Sequence, residues 1–355
     1  MQMIDVNVKE HPYQIDLENG GSNAIGTKVS QLWSPRKVII ISDMNVADIY
    51  LKAVVKKLRD AGFTVSTAVV APGEASKSIE LVQTIVKQMS HDHFTRSDGV
   101  IALGGGVITD LAGMVASLYM RGIGLIQVPT SMTAQVDASI GGKTAVNLGE
   151  VKNVMGTFYQ PDFVLVDPAF LTTLSDRDLV EGYAESVKMS LLAGGDFAEL
   201  TGSIQSVADL KSKLVPVIEA SLNYKRDIVV QDEFDHNQRQ ILNFGHTFGH
   251  AIELMAHGDL RHGEAISIGM VAITDRLERD GYTQAGVSDQ ITSRLLAVGL
   301  PVFSEYIGQD EFFDLVKRDK KRTDDRINFI GLAQVGEPII VKKDVRKLEA
   351  FVKGY

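Results

Sequence analysis

Apolar residues in the first half of the chain fall in short unbroken runs. Val38-Ile39-Ile40-Ile41 ends at Ser42-Asp43-Met44-Asn45, and Thr64 to Val70 ends at Pro72-Gly73-Glu74. Val100-Ile101-Ala102-Leu103 runs into three glycines, Leu125-Ile126-Gln127-Val128 into Pro129-Thr130-Ser131, and Val164-Leu165-Val166 into Asp167-Pro168. A strand with one wet face alternates apolar and polar residues. Unbroken runs separated by amphipathic or small-residue stretches instead predict a mostly parallel sheet with helices on both faces. Such sheets bind ligands beyond the carboxyl ends of their strands, and polar and Gly residues follow nearly every run here.

Beyond about residue 175 the period lengthens to that of helices, which are expected over roughly 175–200, 205–230, 239–257, 263–280, 285–298 and 309–320. One late hairpin is expected, pairing 327–333 with 339–341 around Val335-Gly336-Glu337. The fold class follows: an α/β N-terminal domain (1–175) with a mostly parallel, Rossmann-like sheet, then a mainly α-helical C-terminal domain (176–355). The boundary is a change of composition near 170–180, and no repeat or low-complexity tract interrupts the chain.

Composition narrows the partners. A length of 355 residues suits two domains or one large one, and 45% hydrophobic with 23% charged residues is ordinary for a globular protein with a full core. Lys and Arg number 36 against 45 Asp and Glu, a net charge of −9. That argues against a nucleic-acid or anionic-membrane binder, which needs a basic face to replace counterions. An anionic ligand must therefore be held by a local cluster of bases. No apolar run approaches the ~18 residues of a membrane span. Met1-Gln2-Met3-Ile4-Asp5 lacks the layout of a secretion signal, so a cytoplasmic location is expected. Cysteine is absent, so a transition metal would have to use His and carboxylate, a set typical of open catalytic sites.

Three groups of residues carry candidate chemistry. Asp98 through Asp110 reads strand, Gly104-Gly105-Gly106 turn, helix, where bare backbone and a helix N-terminus suit a phosphate. It is neither G-x-G-x-x-G, because Thr109 occupies the third glycine position, nor a Walker loop; a turn with small residues for packing is the plainer alternative. Five of eight His lie within 27 residues: His236, His246, His250, His257 and His262. His246 and His250 are four apart on one helical face, and His262-Gly263-Glu264 opens the next helix. Two His plus a third from a neighbouring helix, completed by a carboxylate, is workable metal geometry, although spacing does not say which His binds. Glu185 and Lys188, three apart, read on their own as an exposed ion pair. The run Asp319-Lys320-Lys321-Arg322 likewise reads as a solvated face. Lys143 after Gly141-Gly142, together with Lys152-Asn153, suggests an oxyanion pocket on an otherwise acidic protein.

Taken in order, the motifs resemble one family. Leu103-Gly104-Gly105-Gly106-Val107-Ile108, Pro129-Thr130-Ser131, Ala134-Gln135-Val136-Asp137 and Gly141-Gly142-Lys143-Thr144-Ala145-Val146-Asn147 are followed by Lys152-Asn153 and Phe158-Tyr159-Gln160-Pro161. Ala184-Glu185-Ser186-Val187-Lys188, the stretch from Leu242 to His250, His262-Gly263-Glu264 and Asp319-Lys320-Lys321 continue the series. The chain closely resembles the 3-dehydroquinate synthases of the shikimate pathway, from Asp43 to Lys321.

The resemblance implies a homodimer that uses NAD and one zinc ion (cobalt can substitute). It also implies conversion of 3-deoxy-D-arabino-heptulosonate 7-phosphate to 3-dehydroquinate and phosphate, by transient NAD oxidation, phosphate elimination, re-reduction and intramolecular aldol closure. By motif match the metal ligands are Glu185, His246 and His262, which leaves His250 for substrate and proton transfer. The cofactor would lie on Asp43, Asn45, Glu74, Lys77, Gly105, Gly106, Asp110, Thr130, Ser131, Lys152 and Thr173, and acidic Asp43 and Glu74 favour NAD over NADP. Substrate would meet Asp137, Lys143, Lys152, Asn153, Lys188, Lys225, Arg239, Asn243, His250 and Lys320. Its phosphate would lie on Lys143, Lys152 and Asn153 with Arg121 reaching from the other subunit, and its carboxylate on Arg239 and Lys225. Thr109, Ser131 and Asp235 depart from the usual Gly, Thr and Glu, and no required group is lost. Cyclases acting on other sugar phosphates and metal-dependent polyol dehydrogenases are the rivals. The first would alter the carboxylate pocket, and the second would need no phosphate site.

Overall fold

The structure, a computed structural model, describes residues 2–149, 151–318, 322, 323 and 325–354. The chain divides into two compact units, Met1–Leu174 with Lys225–Phe234, and Ser175–Tyr224 with Asp235–Tyr355.

In the first unit, β1 (Gln2–Val6), β2 (Tyr13–Leu17), β3 (Lys37–Asp43), β4 (Thr64–Val70), β5 (Gly99–Gly104), β6 (Gly124–Pro129) and β9 (Phe163–Val166) form a seven-stranded sheet ordered β1-β2-β9-β6-β5-β3-β4. Only β1 and β2 pair antiparallel. The unbroken apolar runs feed two cores. Ile39, Ile41, Val100 and Ala102 pack on one face with residues of the helices Ile79–His91 and Gly106–Leu118. Val38, Ile40, Ile101 and Leu103 pack on the other with residues of Ile25–Leu32 and Lys52–Asp60. Strands β3, β5, β6 and β9 are dry on both sides, which is why their sequences do not alternate.

Four strands of the first unit have no counterpart in the expected elements. Strand β1 is short and alternates in burial. The hairpin of β7 (Lys143–Leu148) and β8 (Val151–Phe158) stands apart from the sheet, and β8 buries none of its residues fully. Neither carries an apolar run. β2 has only three apolar residues among five. The segment Lys225–Phe234 belongs with the first unit for a physical reason: Lys225 Nζ lies 2.7 Å from Asp137 Oδ1, and Glu233 accepts from Gln160 at 2.9 Å.

The second unit is mainly helical and ends in a three-stranded antiparallel sheet of β10 (Arg322–Thr323), β11 (Arg326–Gln334) and β12 (Glu337–Asp344), which contains the expected hairpin. Three expected helices are broken. The first stops at Ala193 because Gly194 and Gly195 take left-handed φ values of 69° and 51°. The second divides into Val207–Ser212 and Leu214–Gln231. The third begins as a 3₁₀ turn, Gln238–Asn243, and restarts as His246–Met255 after Gly245, whose φ is 78°. Among the described residues, no helix is long and apolar enough to cross a membrane.

Glycines set the closeness of three helices in this unit. A Cβ on Gly263 would stand 1.8 Å from the Glu181 carbonyl oxygen, and one on Gly269 would stand 2.1 Å from that of Gly245. The His262–Arg279 helix therefore lies against both Asp176–Ala193 and the turn that opens His246–Met255. In a free helix Gly to Ala stabilises by roughly 1 kcal/mol, whereas overpacking costs about 1–3 kcal/mol. Gly263→Ala is expected to lower the urea midpoint of unfolding, and a raised midpoint would show that the helices are not in such close contact.

Candidate active site

In the first unit, strand order reverses between β3 and β5. From β3 the chain moves outward to the edge strand β4, whereas β5 leads away on the other side to β6 and β9. Crevices of this kind, at the carboxyl ends of the strands, are where open α/β sheets bind ligands. Asp43 ends β3, and its carboxylate accepts from the Val46 N–H at 3.1 Å, with Asn45 in the same turn. Gly104 ends β5. A Cβ there would be 2.6 Å from Ile108, so packing alone accounts for that glycine. Gly105 and Gly106 are looser, 3.1 Å from Ser131 Oγ and 3.4 Å from Ala138 Cβ, and the φ of Gly105 is an ordinary −76°. The Gly106–Leu118 helix has no side-chain cap at its N-terminus. Bare backbone that the fold itself does not demand, beside uncapped N–H groups, suits an approaching phosphate.

The loops after the neighbouring strands converge on the same end of the sheet. Thr130 N–H donates to the Gly104 carbonyl at 2.9 Å, Ser131 Oγ accepts from Ala134 N–H at 3.3 Å, and Thr173 Oγ1 lies 2.7 Å from the Tyr50 hydroxyl. Lys77, 5% exposed, is a hub: its Nζ lies 2.6 Å from Asp110 Oδ2 and 3.7 Å from Glu74 Oε1, and it donates to Asn153 Oδ1. Burial disfavours its charge, but the Asp110 and Glu74 carboxylates outweigh that and hold its pKa above the ordinary lysine value. Asn147 closes the ring, donating to Glu74 Oε1 at 2.9 Å and accepting from Asn153 N–H at 2.9 Å. That bond holds Asn153 at a left-handed φ of 55°. In the sequence Asn147 stands out only as the last residue of the Gly141–Asn147 motif. Its Asx-type position between Val146 and a hairpin turn was the available signal.

Of the remaining first-unit candidates, Lys143 is exposed, Lys152 half-buried, and Arg121 exposed with φ 69° just before Gly122. Lys225 is buried, pairs with the Asp137 carboxylate and donates to the Asp137 carbonyl.

In the second unit, Glu185 is the centre. It lies two turns into Asp176–Ala193, a helix with 13 of its residues buried, and is 1% exposed. Lys188 is 1% exposed and pairs with Glu185 Oε2. The reading of this couple as an exposed pair is corrected: the helix is surrounded on all sides, so its polar residues give no outward stripe. His262 Nε2 and His246 Nε2 lie 3.3 and 3.6 Å from Glu185 Oε1. Each imidazole is turned by the hydrogen bond at its other nitrogen, Nδ1 to the Phe244 carbonyl at 3.1 Å for His246 and Nδ1 to Glu253 Oε2 at 3.0 Å for His262. One ligand atom from each of Glu185, His246 and His262 lies within 4.8 Å of the others.

The electrostatics are those of a site built for a cation. Beyond the Lys188 pair, neither oxygen of the buried Glu185 has a hydrogen bond of proper geometry among the described residues. Burial raises its pKa, but Lys188 and His262 more than reverse this, so the carboxyl stays ionised. Burial likewise opposes the His262 imidazolium, yet Glu185 and Glu253 push its pKa up to about 10. A metal taking Nε2 must displace that proton. His250 rims the cluster, exposed, with its ring 5.2 Å from His246 and 5.9 Å from His262.

The carboxylate that spacing offered beside His262 is not available to a metal. Glu264 accepts a bidentate pair from Arg177 at 2.6 and 2.8 Å and a capping bond from Arg261 N–H at 2.9 Å. It ties the starts of two helices together instead. Arg239 is buried in the 3₁₀ turn that also carries Asn243, whose amide donates to the Gln240 carbonyl at 3.0 Å. His236 and His257 are absent from the cluster. Lys320 lies outside the described residues.

A Rossmann-like unit with a glycine turn at an uncapped helix N-terminus, followed by a helical unit with a Glu/His/His cluster, defines a class of nucleotide- and metal-site α/β proteins. Comparison with known proteins narrows that class. Residues 67–181 match the family described as 3-dehydroquinate synthase N-terminal, and 182–322 match 3-dehydroquinate synthase C-terminal. A 3-dehydroquinate synthase of Leuconostoc mesenteroides subsp. mesenteroides is 51% identical over 100% of both chains. The fold is that of 2-deoxy-scyllo-inosose synthase, solved with carbaglucose-6-phosphate, NAD+ and Co2+ (TM-score 0.90, 24% identity, covering 99% of this chain and 100% of that one). It is also that of 2-epi-5-epi-valiolone synthase from Streptomyces hygroscopicus subsp. jinggangensis 5008, solved with NAD+ and Zn2+ (TM-score 0.86, 26% identity, 98% of each chain). The chain belongs to the 3-dehydroquinate synthase family.

The geometry separates the three clustered histidines. His262→Ala and Glu185→Ala are each expected to weaken Zn2+ binding by about 100-fold or more, beyond what loss of an outer partner costs, whereas His250→Ala should keep one zinc per chain after dialysis. Zinc lost from the His250 variant and retained in the His262 variant would reverse the assignment.

Proposed function

We propose that this chain is a phosphate-eliminating carbon–oxygen lyase that converts 3-deoxy-D-arabino-heptulosonate 7-phosphate to 3-dehydroquinate and phosphate, with NAD and one Zn2+ or Co2+ bound. The observation that carries the reading is the buried, ionised Glu185, paired with Lys188 through Oε2 and facing two imidazole Nε2 atoms with Oε1. An oxygen-and-imidazole set of this kind suits zinc or cobalt in an open catalytic site. Membership of the family and the NAD+ and metal named for two proteins of the same fold support it.

When bound, the ion supplies Lewis acidity at substrate hydroxyls and NAD supplies a reversible hydride acceptor. The chain's own residues do the rest. Glu185, His246 and His262 hold the ion, and Lys188 keeps Glu185 ionised while reaching substrate. Asp43, Asn45, Glu74, Lys77, Gly105, Gly106, Asp110, Thr130, Ser131, Lys152 and Thr173 hold the dinucleotide, with Asp43 and Glu74 set against a 2′-phosphate. Lys143, Lys152 and Asn153 take the substrate phosphate, joined by Arg121 from the second subunit of a homodimer. Arg239 and Lys225 take the carboxylate, the latter aligned by Asp137, with Asn243 alongside. His250, exposed next to the cluster, moves protons. Residues 1–175 would be the NAD-binding domain and 176–355 the metal- and substrate-binding domain of a cytoplasmic enzyme.

Purified protein given Zn2+, a catalytic amount of NAD and the heptulosonate phosphate should release phosphate and form 3-dehydroquinate with no lasting absorbance of NADH. Steady NADH accumulation on a plain polyol would instead mark a dehydrogenase. Arg239→Ala should raise KM and lower kcat for the carboxylate substrate, together costing about 100-fold or more in kcat/KM if a buried charged hydrogen bond is lost. An unchanged rate would direct attention to a sugar phosphate without a carboxylate.

A further inference from the structure

Glu253 holds neither metal, cofactor nor substrate in the proposed reaction, yet it makes a specific contact with one of the three ligand residues. It sits near the end of the His246–Met255 helix, two turns beyond His246, with its side chain 15% exposed. Its Oε2 accepts from His262 Nδ1 at 3.0 Å, leaving Nε2 of that ring 3.3 Å from Glu185 Oε1. His246 obtains the same orientation from a neutral partner, the Phe244 carbonyl at 3.1 Å. The two imidazoles are thus supported unequally, one by a backbone dipole and one by a full negative charge.

We propose that Glu253 is a positioning residue for the metal: it fixes the Nδ1–H tautomer of His262 and makes Nε2 of that ring the stronger of the two nitrogen donors. The need for such a partner is geometric. His262 is the first residue of its helix, and its side chain is 35% exposed. Packing therefore constrains this ring less than that of His246, whose side chain is 12% exposed. A carboxylate behind the ring restricts rotation and adds electron density to the opposite nitrogen, which raises its affinity for a cation. Because Glu253 and His246 share one helix, any shift of that helix moves a ligand and the partner of the other ligand together. The inference rests on the proposed metal site.

The experiment is a competition titration of zinc into wild type, Glu253→Gln and Glu253→Ala, each first stripped with chelator, with the visible spectrum of the Co2+ forms recorded alongside. Wild type should bind one zinc. Glu253→Ala should bind it about 10–100-fold more weakly, the usual cost of losing an outer partner of a ligating histidine, and should show an altered Co2+ band. Glu253→Gln keeps an oxygen acceptor without its charge, so it should recover part of the loss. A purely structural role would leave the Co2+ band unchanged in every folded variant. Affinity within about threefold of wild type with an unchanged band in Glu253→Ala overturns the inference; if that variant does not fold, the same result in Glu253→Gln does so. Failure of wild type to bind zinc at all would instead overturn the metal site itself.

Discussion

A carboxylate buried at 1% exposure on the inside of a helix cannot stand alone. The cost of desolvating Glu185 is offset only by positive charge held in place, and the second unit is arranged to hold it there. Lys188 stands one turn along the same helix, and His246 and His262 arrive from two others. With Oε2 on Lys188 and Oε1 facing the two Nε2 atoms, the carboxylate keeps the capacity to accept a further cation. Satisfying it completely with protein donors would close the site, and removing the lysine would leave the metal-free chain with a poorly compensated charge.

Bringing three helices that close is a steric problem, solved with glycine. Gly263 and Gly269 let backbone meet backbone where any Cβ would collide. The Arg177–Glu264 fork then ties the starts of two of these helices together. Positions that look like parts of a binding motif therefore divide into two kinds. Some supply ligand atoms, and others, such as Gly263 and Glu264, allow the ligand atoms to meet. The same division runs through the glycine turn of the first unit, where Gly104 serves packing while Gly105 and Gly106 leave backbone bare beside an uncapped helix N-terminus.

Much of this was legible along the chain. The continuous apolar strands specified a parallel sheet with two dry faces, because nothing else buries both sides of such a run. The density of histidine in a chain without cysteine pointed to a nitrogen-and-oxygen metal site. Short or polar elements were not legible. β1 and the β7–β8 hairpin carry no run long enough to read, and Gly194 and Gly245 interrupt helices whose apolar spacing continues past them.

By itself the sequence determined the fold class, the chemistry on offer and, through motif order, the family. It determined these because periodicity and residue type are local properties. Tertiary structure alone decided which groups meet. Residues 74, 77, 147 and 153 form one ring with Asp110 attached at Lys77, Glu264 faces Arg177 and not a metal, and Glu253 stands behind His262. It also decided that Glu185 and Lys188 form a buried pair instead of a surface one, since the same spacing of three occurs on any helix and only its surroundings set the dielectric. Contacts between residues far apart in sequence depend on the path of the backbone between them, and no local pattern encodes that path.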